Sequence, residues 1–68
     1  LEPEAIVTSA NAAVRISPLD EAKVAFTAAD GAEFRLREQR DDWLLVAEPG
    51  SGRAGWIRRS ATALVPLR

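Results

Sequence analysis

Ala32-Glu33-Phe34-Arg35-Leu36-Arg37-Glu38 alternates apolar and charged residues, and Trp43-Leu44-Leu45-Val46-Ala47 answers it across Gln39-Arg40-Asp41-Asp42. A period of two is the spacing of a strand with one buried face, because successive side chains point to opposite sides of a sheet. The aromatic and aliphatic run has the composition of a second strand. The four polar residues between them suit a hairpin loop. Glu48-Pro49-Gly50-Ser51-Gly52 is then a cluster of turn formers, each of which either tolerates or imposes a bend. Extended character resumes from Arg53 to Ile57, which completes a three-stranded meander.

Outward from the meander, Ile6 and Val7 mark a short strand over residues 5–8. Between Asn11 and Thr27, Val14 and Ile16 alternate with Arg15 and Ser17, Pro18 interrupts, and Val24-Ala25-Phe26 resumes the extended pattern. Proline inside a helix removes a hydrogen bond and clashes with the preceding turn, so this stretch is predicted to be a long hairpin-like excursion. Alanine favours helix on propensity alone, but Ala28-Ala29-Asp30-Gly31 is short and ends in a turn signal. Arg58-Arg59-Ser60-Ala61 is read as one tight turn before a last strand, Ala63-Leu64-Val65. Five short strands in about sixty residues predict an all-β, five-stranded small barrel, in which closure removes aggregation-prone edges. The expected core is Ile6, Val14, Phe26, Phe34, Leu36, Leu44, Val46, Ile57 and Leu64. The domain is expected to span residues 5–65, with 1–4 and 66–68 as frayed ends or cut points of a longer protein.

Composition bounds the function. Of 68 residues, 47% are apolar, but thirteen of those are alanine, so large core side chains are scarce and the core is small. Nine basic residues against ten acidic give a net charge of -1, which argues against nucleic-acid binding, where a positive surplus displaces counterions from phosphate. No apolar run approaches the ~20 residues of a membrane span, and no secretory leader opens the chain. Direct membrane insertion by this segment is therefore not expected. The chain has no Cys and no His. It lacks thiolate chemistry, cysteine-bound zinc and the most usual general base near neutral pH. The expectation is a non-enzyme with no cofactor and no metal.

The blocks in their order resemble the bacterial SH3-like domain. Ala5-Ile6-Val7 and Ala13-Val14-Arg15-Ile16-Ser17-Pro18 are similar to its opening, with the valine-arginine-serine-proline signature. Phe26, Asp30-Gly31 and the alternation to Glu38 are similar to its second block. Asp42-Trp43-Leu44-Leu45-Val46 and Gly52-Arg53-Ala54-Gly55-Trp56-Ile57 are similar to its two most specific blocks. The likeness is greatest to the SH3-like domain that ends bacterial tetratricopeptide proteins, including those of aerotolerance operons. It implies an SH3-like barrel and a module of a larger, envelope-associated protein with a membrane anchor elsewhere in its chain. It implies a protein or peptide partner, with peptidoglycan as the competing ligand and a ligand-free spacer as the third role. Eukaryotic SH3 domains grip proline-rich peptides with tyrosines, a tryptophan and a groove proline. Here Trp43 holds the tryptophan position, Arg58 stands for the proline, Ala61 for the later tyrosine, and the chain has no Tyr. Polyproline recognition needs an aromatic-lined groove, so that ligand class is not carried over.

The candidate ligand surface combines Trp43, Trp56, Asp42, Arg53 and Arg58. Strand parity puts both tryptophans opposite the core residues of their strands, so they are expected as a partly exposed pair flanked by Arg53 or Arg58. Two roles fit them: an aromatic platform for a ligand, or caps that cover backbone. Arg53, Arg58 and Arg59 suit bidentate recognition of an anionic group, or a solvated and ion-paired face. Asp41-Asp42 reads as a solvated hairpin tip, since no further acidic cluster supplies a metal shell. Gly55 marks a close backbone approach or a kink, and Gly31 a turn with positive φ.

Overall fold

The computed structural model describes residues 3–65. Of the expected end segments 1–4 and 66–68, residues 1–2 and 66–68 lie outside the described residues, while Glu4 already belongs to the first strand. Seven strands follow one another: β1 (Glu4–Val7), β2 (Ala12–Arg15), β3 (Val24–Ala28), β4 (Glu33–Arg40), β5 (Trp43–Ala47), β6 (Ala54–Arg58) and β7 (Thr62–Val65). A single 3-10 turn, Arg59–Ala61, joins β6 to β7. Among the described residues no helix is long and apolar enough to cross a membrane.

The all-β class and the β4-β5-β6 meander are as the alternation predicts. The strand count is not. The excursion from 11 to 27 is itself two paired strands, β2 and β3, in register from Ala12↔Ala28 to Val14↔Phe26. Their pairing satisfies backbone groups that an open loop would leave to solvent. All pairings are antiparallel, in the order β3-β2-β6-β5-β4-β1-β7. One core cluster takes Ala5 and Val7 from β1, Ala12 and Val14 from β2, Ala28 from β3, Phe34 and Leu36 from β4, Leu44 and Val46 from β5, and Ile57 from β6. A single cluster can draw on six strands of one sheet only if the sheet curls around it. Phe26 and Leu64 pack against the cluster while staying partly exposed.

The expected core placement of Ile6 is corrected. Ala5 and Val7 point inward and Ile6 is only half-buried. Ala5 lies directly between Phe34 of β4 and Leu64 of β7, a small inward residue flanked by two larger ones. Size complementarity across the sheet, and not side-chain hydrophobicity, sets the parity of β1.

β5 is buried on both faces, as the centre of the sheet. Its inward residues are Leu44 and Val46, and its outward row is Trp43, Leu45 and Ala47. That outward face carries the candidate site.

Candidate functional site

Register fixes which side chains meet on the outer face. Trp43 stands opposite Arg58 of β6, and Leu45 opposite Trp56. Trp43 and Trp56 are therefore diagonal neighbours on one face, as parity predicts. On the other side of Trp56 stands Arg15 of β2. Opposite Trp43 on β4 is Arg40, and opposite Leu45 is Glu38. Those last two reach this face through a bulge between Leu36 and Glu38. A bulge inserts one residue, here Arg37, and flips the parity of everything after it. Before the bulge the outward residues of β4 are odd-numbered; after it they are even-numbered.

The expected exposure of the tryptophans is corrected. Trp43 is 6% exposed and Trp56 is 9% exposed, so neither presents an open ring. Arginines cover them. The Arg58 guanidinium carbon lies 4.3 Å from the Trp43 ring centroid, and that of Arg40 lies 5.1 Å from the Trp56 centroid. Both distances are within cation–π range, where a weakly hydrated guanidinium lies well on an indole face. Arg40 is held by Glu38 at 2.8 Å. Phe26 and Phe34 are the aromatic rings in contact among the described residues, at 6.1 Å.

Arg58 does more than cover Trp43. Its Nε and Nη2 donate to the two carboxylate oxygens of Asp20 at 3.2 Å and 2.6 Å, a two-point fork. Asp20 sits in the loop of residues 16–23 that joins β2 to β3. Arg15 ties the same loop, its Nη1 donating to the Ala22 carbonyl at 2.7 Å. Two outward arginines from neighbouring strands thus hold one loop against the sheet. Ile16 and Leu19 of that loop are 60% and 53% exposed.

Beside Arg58 opens a depression of about 600 Å³ lined by Asp42, Arg58, Arg59 and Ser60. The backbone N–H of Arg59 donates to the Asp42 carbonyl at 2.8 Å, which fixes the 3-10 turn against the β4–β5 hairpin tip. A second depression, about 240 Å³, lies between Arg35 and Arg37 on one side and Ala47, Glu48 and Pro49 on the other.

Arg53 is not part of the first site. It belongs to the β5–β6 turn, where its Nε donates to Glu48 at 2.9 Å and its guanidinium covers Phe26 at 4.2 Å. Ser51 also donates to the Glu48 carboxylate. These bonds, Arg53 first, hold the Glu48 carboxyl below the ordinary glutamate value and raise Arg53. Of the five residues expected to form the ligand surface, the structure gathers Asp42, Arg58 and Trp43. Trp56 shares their face under a different arginine, and Arg53 lies elsewhere.

Sequence reading missed Asp20, Arg40 and Ser60. The Arg40 position was detectable: charges fall at 35 and 37, then at 38 and 40, and that step is the bulge. Asp20 and Arg58 are 38 residues apart, and no local pattern links them.

Residues 8–63 match the family model described as "Bacterial SH3 domain". No curated protein and no solved structure matches the chain.

Proposed function

The chain belongs to the bacterial SH3 domain family, and from that membership we propose that it is a non-catalytic module that docks a protein or peptide partner. The observation that carries the reading is the open depression of Asp42, Arg58, Arg59 and Ser60, which joins Trp43 through the guanidinium stacked on its ring. It gathers two guanidiniums, a carboxylate acceptor and a hydroxyl at one end of the sheet, next to the Asp20 loop that exposes Ile16 and Leu19. That combination recognises extended peptide better than it performs chemistry. A chain without His or Cys has no ready nucleophile–base pair. An envelope setting within a larger protein belongs to the same proposal and is supported by the family resemblance alone.

The test is a selection of displayed random peptides on this chain, followed by NMR mapping of the winners. Selected peptides should shift the Trp43 indole N–H and the amides of Asp42, Arg58, Arg59 and Ser60. Winners that map to another face overturn the site. Insoluble peptidoglycan that sediments the chain, with no peptide selected, replaces peptide docking by wall binding.

A further inference from the structure

We infer that Arg58, on the wall of the depression, takes a peptide carboxylate on its guanidinium fork, and that Asp20 occupies that fork while the domain is free. The inference rests on the docking reading above and adds the chemistry of the ligand. Arg58 is the starting point. One face of its guanidinium lies on Trp43, which fixes the plane of the fork before any ligand arrives. The edge of that plane is taken by both oxygens of Asp20, the arrangement in which arginine holds any carboxylate. The Asp20 side chain is 72% exposed, and an ion pair so open to water exchanges partners at little cost. Asp20 also sits on a loop and not on a strand, so releasing it does not break the sheet.

A second cation stands ready. Arg59 adjoins Arg58, lines the same depression and is exposed. Among the described residues its side chain makes no hydrogen bond or ion pair. Of the two neighbouring arginines, Arg58 is engaged by Asp20 and Arg59 is left to a ligand. Asp42, which lines the same depression, repels a dense polyanion, so the fit is to spaced acidic side chains with aliphatic neighbours. Ile16 and Leu19 are exposed apolar side chains on the loop that Asp20 ties to Arg58.

The experiment titrates the isotope-labelled chain with acetyl-Ala-Glu-Leu-Glu-Ala-amide and with its counterpart carrying Gln in place of Glu. The acidic peptide should shift the Trp43 indole N–H and the Arg58 and Arg59 Nε signals. The Gln peptide should bind about tenfold more weakly, the loss expected for charge-assisted bonds. Asp20→Asn removes the internal competitor and should tighten the acidic peptide about threefold, since an exposed pair is weak. Arg59→Gln changes an exposed side chain and should weaken the acidic peptide several-fold with an unaltered melting temperature. Equal affinity for the two peptides, with shifts on this depression, overturns the carboxylate while leaving the docking site standing. Acidic binding that is unchanged or weakened by Asp20→Asn, and equally by Asp20→Ala, overturns the stand-in role. If neither peptide shifts the depression, the carboxylate is overturned, and the library selection decides the site separately.

Discussion

Gly55 lies where β6 packs tightly against β2. A methyl group there would sit 2.7 Å from Val14 Cγ1 and 2.8 Å from the Arg15 carbonyl oxygen. The second contact is backbone and cannot swing away. Gly55→Ala is expected to destabilise the domain by about 1–3 kcal/mol, the usual cost of overpacking, read as a lower urea midpoint. The sequence offered close approach or a kink for this glycine, and the structure selects close approach. Gly31, with φ of 89°, is the turn residue its Asp-Gly context predicts. Glu48 gives a pH prediction. Its carboxyl is held low by Arg53 first and Ser51 second. Because the folded value is depressed, the turn's stabilisation is complete above the ordinary glutamate value. It is lost as pH falls through the lowered one. A carbon-detected titration should place the Glu48 midpoint below that of free glutamate, and Arg53→Ala should raise it toward that value. An unchanged midpoint in the variant would show that the pair does not persist in solution.

At the level of strands, the covered tryptophans make a separable prediction. Arg40→Ala should open Trp56 to acrylamide quenching and leave Trp43 shielded. Stability should fall by about 0.5–1 kcal/mol, the range of an accessible cation–π contact. Measured in a Trp43→Phe background, unchanged quenching would mean that Arg40 does not cover the ring. How much of this was legible follows from particular residues. Val14, Phe34, Leu36, Leu44 and Val46 were readable as core because each lies on an alternating or wholly apolar strand, and Ile57 because it is the large aliphatic residue of the third meander strand. Ala5 was not, because a methyl group carries little hydrophobic signal and its inward placement depends on Phe34 and Leu64, far away in sequence. Asp42, Trp43 and Arg58 were legible as neighbours because the meander puts the start of one strand beside the end of the next. Asp20 was not, since only the folded β2–β3 loop carries it to Arg58. The tryptophans' burial was missed because parity gives the face of a side chain and says nothing about what lies on top of it.

Taken whole, the molecule combines an SH3-like sheet with an outer face unlike a proline groove. Trp43 is under Arg58, and no tyrosine exists to build the second wall. Peptides with two spaced prolines should bind no tighter than about 1 mM, equivalent to roughly 4 kcal/mol, and a low-micromolar NMR titration would refute this. The sheet order has one more consequence. β1 and β7 are neighbours and antiparallel, with Glu4 opposite Val65, so chain on either side of the domain departs from a single spot. Tension carried through those two ends therefore loads the Glu4–Val65 pair first and peels β1 from β7 bond by bond, where shearing would load all four pairs together. Such a domain yields at low force when pulled by its ends. For the same reason its ends can be spliced into a surface loop of another protein, or joined to each other and reopened elsewhere, with little distortion of either partner.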